Sequence, residues 1–213
     1  MPIDIAKIRL FRIVHVDNVK YILRHGMFTK HHTSADPNYI NIGDTKLIKQ
    51  RNEYPVKLEG YGNLGDYVPF YFGPLSPMLL NIKTGYRGIV QRPQSDIAYI
   101  CSKLDQIIDA GSQWCFTDGH AKNRITEFYN DVIDLDNVDW KIVSERYWKN
   151  TEEDLDRMRR KQAEFLVKDH VPVQVIKRII IYDENKREML QKIADKLKLK
   201  IKICVNPNNN YYY

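Results

Sequence analysis

Cysteine is scarce in this sequence: Cys101, Cys115 and Cys204 are the three in 213 residues, and none belongs to a CxxC pair. An odd number of scattered thiols argues against a disulfide framework and against a zinc site. No apolar run approaches the roughly 20 residues that span a bilayer, and the opening MPIDIAKIRL lacks the basic-then-apolar plan of a signal peptide. A cytoplasmic protein without membrane attachment is expected. Walker, GxGxxG, HExxH and GxSxG motifs are also missing, which disfavours a phosphate-loop NTPase, a Rossmann dehydrogenase, a zincin and an α/β-hydrolase.

What is present is an ordinary folding composition, 43% hydrophobic and 28% charged, in a chain of single-domain length. The expectation is one domain over residues 1–207 and a loose tail over 208–213, where Asn208, Asn209 and Asn210 precede three tyrosines. Lys and Arg exceed Asp and Glu by 33 to 27. That excess suits a polyanionic partner, because basic side chains release counterions condensed on phosphates.

Apolar and β-branched patterning predicts strands at 8–16, 68–72, 97–101, 113–116, 163–167, 176–182 and 200–205. Helices are predicted after Asp17, ending at His25-Gly26; after Asp44 or Thr45, with Arg51 near the end; and at 78–82, 104–110, 121–129 and 184–197. Thr151-Glu152-Glu153-Asp154 resembles a capping box opening a further charged helix through Lys161. Between Tyr54 and Asp66, Gly60, Gly62 and Gly65 with few apolar anchors predict a long mobile loop. The class is α+β.

Several residues stand out chemically. Glu164 is a carboxylate in an otherwise apolar strand and must be paired, solvent-facing or used in a cleft; pattern alone favours the solvent-facing reading. His15 closes the first strand ahead of Asp17 and Asn18, where an imidazole is either structural or ligand-binding. Arg51, Arg92 and the group Arg157, Arg159 and Arg160 are phosphate-capable points or a solvated face. Tyr71 lies in an aromatic strand fit for core packing or for stacking, and His120 in a polar turn between predicted elements. On residues alone, a non-catalytic platform for single-stranded nucleic acid also accommodates these features.

Five strings in order carry a resemblance: Phe11-Arg12-Ile13-Val14-His15-Val16-Asp17-Asn18; Ile48-Lys49-Gln50-Arg51; Val68-Pro69-Phe70-Tyr71-Phe72-Gly73-Pro74; Phe116-Thr117-Asp118-Gly119-His120-Ala121; and Arg160-Lys161-Gln162-Ala163-Glu164-Phe165-Leu166-Val167. Together they resemble the DarT family, DNA ADP-ribosyltransferase toxins of bacterial DarT-DarG toxin-antitoxin systems. The resemblance implies an ADP-ribosyltransferase fold, a split mixed β-sheet with flanking helices and a central NAD⁺ cleft. It implies NAD⁺ as co-substrate, no metal, and transfer of ADP-ribose to a base of single-stranded DNA. Thymine is the expected base, with guanine, RNA or protein as alternative acceptors. Glu164 and Arg51 are implied as catalytic, and His15, Asn18, Tyr71 and Arg51 as NAD⁺-binding. His120, Arg92 and Arg157 are implied to lie toward DNA, and the 54–66 loop to cover the NAD⁺ site. A cognate DarG-type antitoxin and a monomeric enzyme follow in the same way.

Overall fold

Isoleucine, valine and phenylalanine concentrate in short runs between turn residues, and such runs assemble a buried sheet. The computed structural model describes residues 3–206 and 210–213. Its strands are β1 (Arg9–His15), β2 (Met27–Phe28), β3 (Tyr67–Tyr71), β4 (Ile97–Lys103), β5 (Trp114–Thr117), β6 (Phe128–Tyr129), β7 (Glu164–Lys168), β8 (His170–Val171), β9 (Ile176–Ile181) and β10 (Lys202–Val205). Its helices are α1 (Val19–His25), α2 (Thr45–Asn52), α3 (Pro77–Thr84), α4 (Leu104–Asp109), α5 (Trp140–Ser144), α6 (Arg157–Arg160) and α7 (Arg187–Lys196).

Eight strands form one mixed sheet in the order β10, β9, β4, β1, β3, β7, β5, β6, and β2 pairs separately with β8. The sheet parts in the middle. β1 is laddered to β4 along its length, from Arg9 opposite Lys103 to His15 opposite Ile97, whereas its register with β3 is the single pair Phe11–Tyr71. β3 is fully laddered to β7, with Tyr71 opposite Glu164. The join between the two halves thus lies one strand away from Glu164.

Caps fix the elements beside this opening. Asp44 Oδ1 accepts the Lys46 and Leu47 N–H groups and starts α2. Gly26 ends α1 at φ 84, a left-handed value that a Cβ would oppose.

Four expectations are corrected. Residues 121–129 form turns and the short β6, not a helix: Asn123 and Asp118 side chains take the Ile125 and Glu127 N–H groups and compete with helical bonding. Thr151 caps only a turn, with Asp154 N–H on its Oγ1, and the charged helix shrinks to α6, which buries no residue. The 54–66 segment is tied down by Val56 N–H to Gly62 O and Leu64 N–H to Tyr54 O, with Val56 and Leu64 buried. Gly65 in that segment comes so close to α2 that a Cβ would lie 2.7 Å from Asn52 Cα.

Of the expected loose tail, Asn208 and Asn209 lie outside the described residues, but Tyr211–Tyr213 is packed. Tyr212 Oη donates to Ile97 O and Ile180 O, and Tyr213 Oη donates to Leu75 O while accepting from Trp148 Nε1. Aromatic rings cover apolar area and their hydroxyls satisfy buried carbonyls, which outweighs the cost of ordering the segment.

Behind the opening, buried Lys161 donates to Pro74 O, Val143 O and Glu145 O, clasping the turn after β3 to α5. Gly73 lies in this clasp, and a Cβ there would overlap Val143 O, a backbone atom that cannot yield. Gly73→Ala is expected to cost about 2 kcal/mol or more of stability, seen as a lower urea midpoint at unchanged slope.

Candidate active site

Glu164 is the first residue of β7 and is 3% exposed. Its N–H donates to Thr117 Oγ1 at 3.1 Å, which locks the start of β7 to the end of β5. From the last turn of α2, Arg51 meets the carboxylate with both prongs of its guanidinium, Nη1 to Oε1 at 3.0 Å and Nη2 to Oε2 at 2.7 Å. The Ala121 N–H donates to Oε1 at 3.1 Å.

Burial alone would hold Glu164 protonated, but the charge and hydrogen bonds of Arg51, with His120 and the Ala121 N–H, more than offset it, and its pKa falls below 4.5. Burial likewise works against the charge on Arg51, and Glu164 overrides it, leaving the guanidinium pKa raised. The centre is an ionised carboxylate locked to a firmly held cation.

Tyr71, opposite Glu164 in the ladder, has its phenol pKa raised by burial and by that carboxylate. His120 lies close enough to be influenced by both Glu164 and Arg51; burial lowers its pKa, so it is neutral at neutral pH. Its Nδ1 accepts the Lys122 N–H at 3.2 Å, placing the proton of the neutral ring on Nε2. A groove of about 430 Å³ runs beside this centre between α2 and the turn after β5, lined by Asp44, Lys46, Leu47, Gln50, His120, Lys122 and Asn123.

On the β1 side lies a narrow pocket whose walls include Arg12, Asn18, Asp36 and Tyr39. Half-buried Arg12 reaches across the parting of the sheet and donates to Pro69 O at 2.9 Å. It also influences the Tyr71 phenol, so it stands between this pocket and the Glu164 centre.

His15 is buried at the end of β1, with Nδ1 accepting the Asp17 N–H at 3.2 Å and Nε2 lying 3.9 Å from Asp96 Oδ2. Burial lowers its pKa against the opposing pull of Asp17 and Asp96.

The predicted residues therefore fall into groups. Glu164, Arg51, Tyr71 and His120 converge, and His15 lies at the end of the neighbouring strand. Asn18 lines the narrow pocket and pins residue 40, Nδ2 donating to Ile40 O and Oδ1 accepting the Ile40 N–H, each at 2.9 Å, which leaves one amide N–H and one lone pair. Arg92 is placed near His15, whose pKa it lowers, rather than beside His120. Its Nε is buried without a partner.

Arg157 is held through Nε and Nη2 by the Glu145 carboxylate and Tyr147 O, away from the groove that His120 lines. The sequence does not single out Arg12, Thr117 or the Ala121 N–H, which the fold brings to this centre. A backbone donor has no side-chain signature, and Arg12 differs from neighbouring cations only in what the fold brings to it.

Among the described residues, no group of three or more His, Cys, Asp or Glu side chains is placed to hold a metal ion. No helix among them is long and apolar enough to cross a membrane.

Comparison with known proteins adds an independent line. The family profile described as "ssDNA thymidine ADP-ribosyltransferase, DarT" matches residues 11–213. A DNA ADP-ribosyl transferase of Escherichia coli is 38% identical over 185 residues, covering 87% of this chain and 85% of the relative. Among solved structures, Thermus sp. 2.9 DarT in complex with ADP-ribosylated ssDNA superposes with a TM-score of 0.84 at 30% identity, covering 96% of each chain. The same Thermus protein in complex with NAD⁺ gives 0.81 at 30% identity, covering 96% of this chain and 97% of that one.

The buried pair makes a stability prediction. Arg51→Met leaves an uncompensated carboxylate and is expected to destabilise the protein by about 3–5 kcal/mol at pH 7. Without Arg51 the folded-state pKa of Glu164 rises above its unfolded value, so the deficit should shrink as pH falls and the carboxyl takes a proton. Urea unfolding of Arg51→Met and of Arg51→Met/Glu164→Gln at neutral and acidic pH checks this, with the double variant expected to regain much of the loss at neutral pH.

Proposed function

This chain belongs to the DarT family of single-stranded-DNA thymidine ADP-ribosyltransferases. From that premise we propose that it transfers the ADP-ribosyl group of NAD⁺ to thymine in single-stranded DNA and releases nicotinamide, with Glu164 and Arg51 at the reacting centre. Such an enzyme marks DNA as a toxin does, and its expected partner is a DarG-type antitoxin that removes the mark.

The observation that carries the residue roles is the unfilled position on the Glu164 carboxylate. A carboxylate offers about four lone-pair sites. Two donors from Arg51 and one from Ala121 occupy three, leaving one on Oε2 for a ribose hydroxyl. Breaking the nicotinamide–ribose bond builds positive charge on the sugar, and a carboxylate kept ionised at that point stabilises it, as in glycoside hydrolysis.

Tyr71 beside Glu164 provides an aromatic wall for the nicotinamide end. Arg12, in the pocket on the β1 side, supplies a cation suited to the diphosphate, and His15 orders the end of the same strand.

The groove on the other side of the pair suits the acceptor strand. Unpaired DNA exposes a base edge without the cost of opening a duplex. His120 at its inner end presents an Nε2 proton donor, and Lys122 and Lys46 line the walls. A thymine ring nitrogen must lose its proton as the new carbon–nitrogen bond forms. Arg51, paired with Glu164, holds its own protons too firmly to accept that one. Its part is to orient the base and stabilise the ring anion as the proton departs to solvent.

Glu164→Gln keeps the shape and removes the charge; transfer of labelled ADP-ribose to a thymine-containing oligonucleotide is expected to fall by about 100-fold or more. Mass analysis of an oligonucleotide series differing in one base reports the acceptor. Undiminished transfer by Glu164→Gln, or equal modification of oligonucleotides lacking thymine, would contradict the reading.

A further inference from the structure

We infer that Arg159 is a positioning residue for Glu164, acting through the turn that follows β5. The inference rests on the reading of Glu164 as the carboxylate that meets the ribose. Arg159 sits in α6 with its side chain 10% exposed. Its guanidinium donates through Nε and Nη2 to the two oxygens of Asp156, each at 2.7 Å, and through Nη1 to Thr126 Oγ1 at 3.2 Å, with Asp118 Oδ1 at 3.0 Å from the same nitrogen. Its backbone carbonyl accepts the His120 N–H at 3.0 Å.

These contacts converge on one short stretch. Asp118 is gripped by its carboxylate and His120 by its N–H. Gly119 between them has no Cβ, and the Arg159 Cζ lies 3.0 Å from where one would be. Thr126, also held by Arg159, donates its hydroxyl to His120 O at 2.9 Å. The next N–H along the chain belongs to Ala121 and donates to Glu164 Oε1.

Apolar packing does not place α6, because none of its residues is buried. The ion pairs of Arg159, with those of Arg160 to Asp139 and Asp154, carry that task. Two flanking carboxylates neutralise Arg159 and occupy its fork, so it is unsuited to binding phosphate. Its fixed fork instead sets where the 118–121 backbone lies, a job the single ammonium of lysine cannot do.

The test compares Arg159→Lys, Arg159→Ala and Glu164→Gln in steady-state transfer from NAD⁺ to a thymine-containing oligonucleotide across pH. For Arg159→Lys, kcat is expected to fall about 10- to 100-fold with KM for NAD⁺ changing less than about twofold, since a small displacement at the reacting centre is costly. The acid limb of kcat/KM should move to higher pH, because Glu164 loses an N–H donor that favours its ionised form. Guanidinium ion at millimolar concentration should restore part of the activity of Arg159→Ala.

A lower kcat with an unmoved acid limb and no rescue would mean a merely structural role and overturn the inference, as would wild-type kinetics in Arg159→Lys. Should the Arg159 variants not fold, Asp118→Asn, which keeps an acceptor for the Glu127 N–H, must show the same shift of the acid limb at smaller size; an unmoved limb there overturns it too. Activity in Glu164→Gln would instead remove the underlying reading of the site, whereas an inactive Glu164→Gln beside a wild-type-like Arg159→Lys would remove this inference alone.

Discussion

The two-pronged bond between Arg51 and Glu164 is the contact on which the architecture turns. A carboxylate 3% exposed is tolerable only when its charge is paired and hydrogen-bonded, since an isolated buried charge costs several kcal/mol. The compensating groups come from distant parts of the chain, Arg51 from α2 and the Ala121 N–H from the turn after β5, while Thr117 of β5 fixes the Glu164 backbone by accepting its N–H. Each of those elements is itself tied down, α2 by its Asp44 cap and by the approach of Gly65 to Asn52, and the turn by Arg159. A pair assembled in this way is pre-organised, so little reorganisation is left for the moment of reaction.

The second constraint is the parting of the sheet. Were β1 and β3 laddered along their lengths, backbone bonds would fill the gap between them. Their single register pair instead leaves an opening, and Phe11, Tyr71 and Glu164 line up across three strands beside it. The two recesses on either side of the centre differ in size. The one on the β1 side is narrow and holds Arg12, while the one beside α2 is wide, polar and open.

Elements built on continuous apolar runs or on helical spacing were legible in the sequence. β1 and β9 are short apolar runs buried on both faces, and α7 carries its apolar residues at helical spacing. The 121–129 and 151–162 segments were not legible as they fold, because local side-chain bonds and long-range ion pairs decided them and no periodicity records either. The packing of the tyrosines at 211–213 is not legible because their partners, Leu75, Ile97, Trp148 and Ile180, are remote in sequence.

The same limit applied to the site. Glu164 was visible as an oddity in a strand, but its partner lies 113 residues away, and family resemblance rather than pattern joined the two. Among three adjacent arginines, nothing in composition distinguished Arg159, which holds the 118–121 turn, from Arg157, which is bound to Glu145 and Tyr147. The hold of Asn18 on the backbone of Ile40, 22 residues away, is equally invisible in the sequence.

The central claim is that Glu164 stays ionised beside Arg51 and meets the sugar of NAD⁺. Carbon NMR of its side-chain carboxyl, assigned by comparison with Glu164→Gln and followed against pH with and without a non-hydrolysable NAD⁺ analogue, tests this most directly. The carboxyl is expected to titrate below the ordinary glutamate range in the free enzyme, with its resonance displaced when the analogue saturates the site. Titration above that range, or a resonance indifferent to the analogue, would show that Glu164 does neither.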